Sequence, residues 1–194
     1  MQHFRPASGP FYSGSTPNCC EPGAILLYYN VGVEFILREF KHEDFEILWD
    51  IDQKCFSPGI SYSRLELAAY IRRRGSLTIV AESLDARGGT AKQIVGFIVA
   101  EVDRRGMGHI ITIDVVASAR RFGIGSGLLD AAEVGLRAAQ CRSVRLETAV
   151  DNLGALAFYK RHGYFLERTV PHYYSNGVDA LILRKDLLAR AKSS

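Results

Sequence analysis

From Val33 onward the chain alternates between short apolar runs and apolar positions spaced for a helix. Val33 to Arg38 is an apolar run that ends in charge, and the polar stretch Lys41-His42-Glu43-Asp44 leads into Phe45, Leu48, Trp49 and Ile51 at helical spacing, so a strand and then a helix are predicted. The adjacent Pro58 and Gly59, within Phe56 to Ile60, break that pattern before Leu65, Leu67, Ala68 and Ile71 resume it over Ser61 to Arg73. Leu77 to Leu84 and Ile94 to Val102 read as strands joined by a loop containing Gly88 and Gly89. His109 to Val116 is rich in β-branched residues and mostly apolar on both faces, the pattern of a central strand. It leads through a glycine-rich stretch, Arg120 to Gly127, into an amphipathic helix carried by Leu128, Leu129, Ala132, Val134, Leu136 and Ala139. Ser143 to Val150 is another strand, Asn152 to His162 another helix, and Phe165 to Val170 and Asp179 to Leu183 close the chain as strands. The class is mixed α/β, with both hairpins and βαβ units.

The first 32 residues do not share this pattern. Their only charged side chains are Arg5 and Glu21, and they hold Pro6, Pro10, Pro17 and Pro22. No basic segment leads directly into an apolar stretch, and Asn30 and Gly32 interrupt the one from Ala24 to Val33, so neither a secretory leader nor a membrane anchor is predicted. The expected division is a tail over 1–32 that ends in an extra strand, one domain over 33–187, and a short tail over 188–194. With 194 residues, 47% hydrophobic and 23% charged, one globular domain with a buried core is expected. A formal net charge of +3 does not point to nucleic acid, and no membrane partner is expected. Cys19, Cys20, Cys55 and Cys141 lack a secretory context and zinc-site spacing, which favours free thiols in a cytoplasmic protein. The five histidines also lack the spacing of a helical metal site, so no metal is expected.

The glycine-rich stretch is where chemistry first enters. Between a buried strand and a helix, Gly123, Gly125 and Gly127 allow backbone N–H groups to converge on an anion at the positive end of the helix dipole. The G-x-G-x-G spacing is not the dinucleotide fingerprint, and no Lys-Ser/Thr pair follows as a mononucleotide loop requires. On these residues alone a tight turn before a helix remains the other reading. Arg120-x-x-Gly123-x-Gly125 with Leu128-Leu129 resembles the Arg/Gln-x-x-Gly-x-Gly/Ala motif of the GNAT superfamily of acetyl-coenzyme A-dependent N-acetyltransferases. Leu146-Glu147, Asn152, Ala157-Phe158-Tyr159 and His162-Gly163-Tyr164 resemble the family's second signature in the same order. The resemblance spans roughly Val33 to Leu187. His172-Tyr173-Tyr174 through Gly177, Asp179 and Ala180 resembles the protein N-terminal acetyltransferase branch, nearest to the ribosomal-protein alanine (RimI) type. Proteins of that type start near Val33, so the first 32 residues are either an accessory tail or precede the true start.

The resemblance implies a central mixed sheet whose middle strands splay apart, flanked by helices, with acetyl-coenzyme A as co-substrate and a protein or peptide N-terminus, such as that of a ribosomal protein, as acceptor. Its pyrophosphate would lie on the amides of Arg121, Phe122, Gly123, Ile124, Gly125 and Ser126, and its pantetheine arm along Ile113, Asp114 and Val115. Strand alternation puts Val144, Leu146 and Thr148 on one side and Arg145 and Glu147 on the other, so Glu147 points away from the more apolar face. Glu147 would be the base and Tyr159 the acid that protonates the leaving thiolate, the phenol being protonated at neutral pH. Asn152 would cap the helix and touch the co-substrate; it lies two helical turns from Tyr159, on the same face. Phe56, Ile60, Tyr173 and Tyr174 would flank the entrance for the amine. No cysteine falls in the motifs, so direct attack in a ternary complex is expected, without an acetyl-enzyme. Two other readings stay open: the same chemistry on a small amine or a lysine side chain, and an acyl-coenzyme A-binding module without catalysis.

Overall fold

The computed structural model describes residues 26–30, 33–56, 60–84 and 93–188. Its elements are β1 (Leu26–Asn30), β2 (Val33–Glu39), α1 (Phe45–Cys55), α2 (Arg64–Arg72), β3 (Ser76–Leu84), β4 (Gln93–Val102), β5 (Gly108–Val115), α3 (Ile124–Ala138), β6 (Ser143–Ala149), α4 (Leu153–Arg161), β7 (Phe165–Val170) and β8 (Ala180–Asp186). The strands form one mixed sheet in the order β1-β2-β3-β4-β5-β6-β8-β7. Neighbours are antiparallel except β5 and β6, which are parallel and joined through α3. This is the mixed α/β architecture that the alternating pattern predicts. The sheet begins inside the stretch set apart as a tail, since Leu26–Asn30 pairs with Val33–Leu37 as β1. Residues 1–25, which include Cys19 and Cys20, and 189–194 lie outside the described residues. Among the described residues no helix is long and apolar enough to cross a membrane.

β4 is buried along most of its length because both of its faces are covered. Val95, Ile98 and Ala100 pack into a cluster with Leu128, Leu129, Ala132 and Leu136 of α3. Ile94, Phe97 and Val99 pack into a second cluster with Leu48 and Ile51 of α1 and Leu67 of α2. The helices therefore sandwich the centre of the sheet. α1 is held at its start by Arg38, which donates to Asp44 at 2.6 and 2.8 Å and to Glu82 at 2.7 Å. α2 starts at Arg64 rather than Ser61 because Ser63 and Glu66 exchange hydrogen bonds in a capping box.

Two irregularities set the centre of the sheet. Val99 pairs with Thr112 but Ala100 pairs with Ile110, so Ile111 is an extra residue and β5 carries a bulge. Before the bulge Ile110 belongs to the α3 cluster; after it Ile113 and Val115 do, while Asp114 turns toward α1. Pairing between β5 and β6 is limited to Gly108 with Val144 and His109 with Arg145. Beyond His109 the two strands part, which is the splay expected from the resemblance. Gly96 permits the close approach of β4 on this bent strand, since a Cβ there would lie 2.6 Å from the Asp114 carbonyl oxygen.

Candidate active site

The loop after β5 forms a cradle at the start of α3. Arg121 and Gly123 both have left-handed backbone, at φ 71° and 84°, and alternation of this kind turns successive N–H groups to one side. The Gly127 N–H donates to the Gly123 carbonyl at 2.9 Å, the first bond of the helix. The amides of Ile124, Gly125 and Ser126 thus lie ahead of the helical ladder and point out of its end. Gly123 is the N-cap and brings no side chain over them. The Arg121 side chain is exposed at the rim, and Phe122 and Gly123 are half-buried. The Arg120 side chain turns back instead: its Nε donates to the Val115 carbonyl at 2.9 Å and its guanidinium lies 3.6 Å from Cys55 Sγ.

The two glycines of the cradle are expected to behave differently on substitution. Gly123→Ala forces a side chain into left-handed backbone, and should cost about 1 to 2 kcal/mol of stability and weaken the binding of a phosphate-bearing ligand at the cradle by about tenfold. At Gly125 a Cβ would meet the Phe158 ring at 3.5 Å, an ordinary contact, so Gly125→Ala should melt at or above the parent temperature. Denaturation curves and calorimetric titration of the two variants check this. Equal destabilisation of both would show that backbone handedness does not shape the cradle.

Between the splayed strands β5 offers an unpaired edge. Val116 N–H donates to Val95 at 2.9 Å, so by antiparallel alternation Asp114 also turns its peptide groups to β4, whereas Ile113 and Val115 turn theirs to the gap. The Val115 carbonyl is already bonded by Arg120. Asp114 differs from its neighbours in both respects: its peptide groups serve β4, and its side chain, 1% exposed, lies under the strand beside α1. The reason is the bulge, which reverses the facing of every later residue of β5. Thr112 donates to Asp114 at 2.9 Å, and Asp52 of α1 lies near enough to repel it. Among the described residues, Oδ1 of each aspartate is buried without a hydrogen-bond partner. Burial, and then the Asp52 charge, pushes the Asp114 carboxyl up to about 8. Burial raises Asp52 to about 6 against bonds from the Tyr62 N–H and Gln53.

α4 closes the other side of the gap. Asn152 is its N-cap, with Oδ1 accepting from the Ala155 N–H at 3.0 Å. Tyr159 is buried in the α3 cluster, with ring centroids 5.2 Å from Phe158 and 5.4 Å from Tyr164. Burial, then Asp114 and Tyr174, pushes its phenol well above the ordinary value, so the hydroxyl carries its proton throughout the neutral range.

Glu147 stands across from Tyr159's side of the sheet, half-buried on β6, with the more apolar Val144, Leu146 and Thr148 turned the other way as alternation predicts. Its Oε2 is 2.6 Å from His109 Nε2. An ionised carboxylate only accepts, so His109 carries its proton on Nε2 there, and its Nδ1 lies 3.8 Å from Glu101. Tyrosines gather around Glu147: its charge helps raise the phenols of Tyr62, Tyr173 and Tyr174, all primarily raised by burial. Tyr62 packs edge-on to Tyr70 at 5.3 Å, and Tyr173 edge-on to Tyr174 at 5.1 Å. Tyr62 is held firmly, with its N–H donating to Asp52 at 2.9 Å, its carbonyl accepting from Gln53 at 2.8 Å and its hydroxyl donating to the Ile111 carbonyl at 3.3 Å.

The structure thus brings Glu147, Tyr173 and Tyr174 together on one side of the splay and the cradle, Asn152 and Tyr159 on the other. Phe56 and Ile60 are half-buried at the two ends of their loop, and Ser57, Pro58 and Gly59 lie outside the described residues. His109, Tyr62 and Tyr70 are additional to the residues expected from sequence. One signal for His109 was available: in a parallel pair it would sit beside Arg145, two residues before Glu147.

The chain is similar to several known proteins. The sequence profile of the Acetyltransferase (GNAT) family matches residues 45–164. An uncharacterised N-acetyltransferase of Methanocaldococcus jannaschii is 32% identical over 151 residues, 77% of this chain and 90% of that protein. N-alpha-acetyltransferase 30 of Homo sapiens is 36% identical over 99 residues, 48% of this chain but only 27% of that protein. The crystal structure of the ribosomal-protein-S18-alanine N-acetyltransferase from Escherichia coli superposes with a TM-score of 0.68 over 82% of this chain and 98% of that one. At 18% sequence identity that last likeness is one of fold.

Proposed function

The chain belongs to the GNAT family of acetyltransferases, and on that footing we propose that it acetylates the α-amino group of a protein or peptide N-terminus, using acetyl-coenzyme A by direct attack in a ternary complex. The observation that carries this reading is the position of Glu147, bonded to His109 and bordered by tyrosines on the side of the splay away from the cradle. Rings on separate elements can flank a peptide backbone, whereas a small amine needs a more enclosed pocket. The human relative, named for N-alpha acetylation, supports the same acceptor class.

In this reading each part of the site has its own task. The cradle amides from Arg121 to Ser126 hold the pyrophosphate, and the peptide groups of Ile113 with the Val115 N–H, turned to the gap, hold the pantetheine arm. Asn152 meets the co-substrate at the start of α4. Glu147, with His109 behind it, takes the proton that the amine loses as its nitrogen bonds to the thioester carbon. Tyr159 donates to the sulfur as the carbon–sulfur bond breaks. A phenol raised above its ordinary value gives up its proton late, so most of its effect is a hydrogen bond to the growing thiolate. The demand on the base is modest: an α-amino group has a pKa of about 7.7 to 8.0, against about 10.4 for lysine. Phe56, Ile60, Tyr173 and Tyr174, joined by Tyr62, flank the acceptor in this reading. Its narrower form, an alanine N-terminus on a ribosomal protein acetylated in the cytoplasm, rests on the similarity of the last segment to the RimI type.

Lysine-containing peptides with free and with blocked N-termini separate the acceptor classes. Acetylation of the free set alone is expected, and equal acetylation of the blocked set would move the assignment to a lysine side chain. A library varying the first residue, read by mass spectrometry, tests the preference for alanine.

A further inference from the structure

His162, the residue after α4, makes a contact that joins the two halves of the co-substrate site. Its Nδ1 lies 2.8 Å from the Phe158 carbonyl. A carbonyl only accepts, so Nδ1 carries a proton, and in the neutral ring Nε2 is left as an acceptor. Nε2 lies 3.0 Å from Ser126 Oγ, which therefore donates to it. Ser126 belongs to the first turn of α3 and supplies one of the amides ahead of the helical ladder. The Phe158 ring packs on the His162 ring at 4.4 Å between centroids and also covers Gly125, the cradle residue next to Ser126. The end of α4 is thus fastened to the phosphate end of α3 by one hydrogen bond and one ring. Tyr159 lies between Phe158 and His162 on the same turn.

We propose that His162 is a positioning residue: through Ser126 it fixes the helix that carries Tyr159 against the cradle, so that the anionic end and the sulfur end of the co-substrate are held at one separation. The inference rests on the acetyl-coenzyme A reading of the cradle but not on the identity of the acceptor. Catalysis needs the donor held within a fraction of an ångström of its productive position, and this bond adds to the packing of α4 in holding it there. Phe158 does not replace the bond, because it offers only a carbonyl and a ring face.

Two near-isosteric substitutions divide the two bonds of the ring. Asparagine places its amide where Nδ1 was and keeps the Phe158 contact, but falls short of Ser126. Glutamine reaches as far as Nε2 and keeps an acceptor for Ser126. H162N is expected to weaken coenzyme A binding, read by calorimetry, and to lower kcat at saturating acetyl-coenzyme A, each by about three- to tenfold, the range a single hydrogen bond supports. S126A should match it, the double variant S126A/H162N should lose nothing further, and H162Q should restore binding and kcat toward the parent values. Losses in H162Q equal to those in H162N, or additive losses in the double variant, would overturn the proposal and leave His162 as a helix cap. If no peptide proves to be an acceptor, the calorimetric comparison still decides the point, so failure of the acceptor assignment is distinguishable from failure of this one.

Discussion

Replacing Tyr159 with phenylalanine is expected to lower kcat by about 10²- to 10³-fold while leaving acetyl-coenzyme A affinity within about twofold, the signature of a group that acts in the transition state. The ring stays where it is, since its packing against Phe158 and Tyr164 does not involve the hydroxyl. Thermal stability should therefore change little, and a loss of activity cannot be charged to unfolding. The size of the effect follows from burial. In a site closed to water, a phenol that keeps its proton is a strong donor to a developing thiolate. Steady-state kinetics with the free-N-terminus peptides supply kcat, and calorimetry supplies the affinity. Turnover at the parent rate would remove Tyr159 as the acid and leave proton delivery to solvent.

The second large effect concerns Asp114 and stability. A carboxyl held up to about 8 by burial and by Asp52 keeps a proton in the folded chain that it releases in the unfolded one over much of the neutral range. The sign follows directly: the unfolded state binds fewer protons, so stability falls as pH rises. The contribution is complete below about pH 4 and is lost as the pH climbs, first through about 6 for Asp52 and then through about 8 for Asp114. Between those two values the slope should approach 1.4 kcal/mol per pH unit for the one carboxyl still protonated. Asp114→Asn keeps an acceptor for the Thr112 hydroxyl and removes the titration. The variant is expected to melt at a nearly constant temperature from pH 6 to pH 8 while the parent falls by several degrees. Parallel curves would show that Asp114 is ionised in the folded protein throughout.

Much of the site could be read from spacing within single elements. The Arg120-x-x-Gly123-x-Gly125 run lies between a strand and a helix, and its glycines supply the backbone freedom that such a junction needs, so the turn is legible without any long-range contact. Alternation places Glu147 on the less apolar side of its strand, and their separation places Asn152 and Tyr159 on one face of a helix. Each inference spans fewer than ten residues, the distance over which backbone geometry carries a side chain's direction. His109 with Glu147 and His162 with Ser126 are separated by 38 and 36 residues, and no local period connects them. Tyr62 carries no local signal for a similar reason: what holds it near Glu147 is Asp52 and Gln53 on α1, across a loop.

Asp114 shows where alternation ends. Counting along His109 to Val116 sets it in a series with Ile110 and Thr112, yet the bulge at Ile111 puts Ile110 and Asp114 on opposite faces of the sheet. No residue type marks the bulge in advance, because it arises from the register between β4 and β5 rather than from β5 itself. The order of strands and helices, the mixed class, the cradle and the facing of Glu147 were all determined by the amino-acid sequence read locally, since they depend on periodicity and on what glycine permits. The burial of Asp114, the His109–Glu147 bond and the tie from α4 to the cradle were decided only by tertiary structure, as was the extent of the splay between β5 and β6, which the family resemblance implies but no local spacing shows. They depend on how far separate elements approach one another, and that distance is set by packing on both faces of the sheet at once.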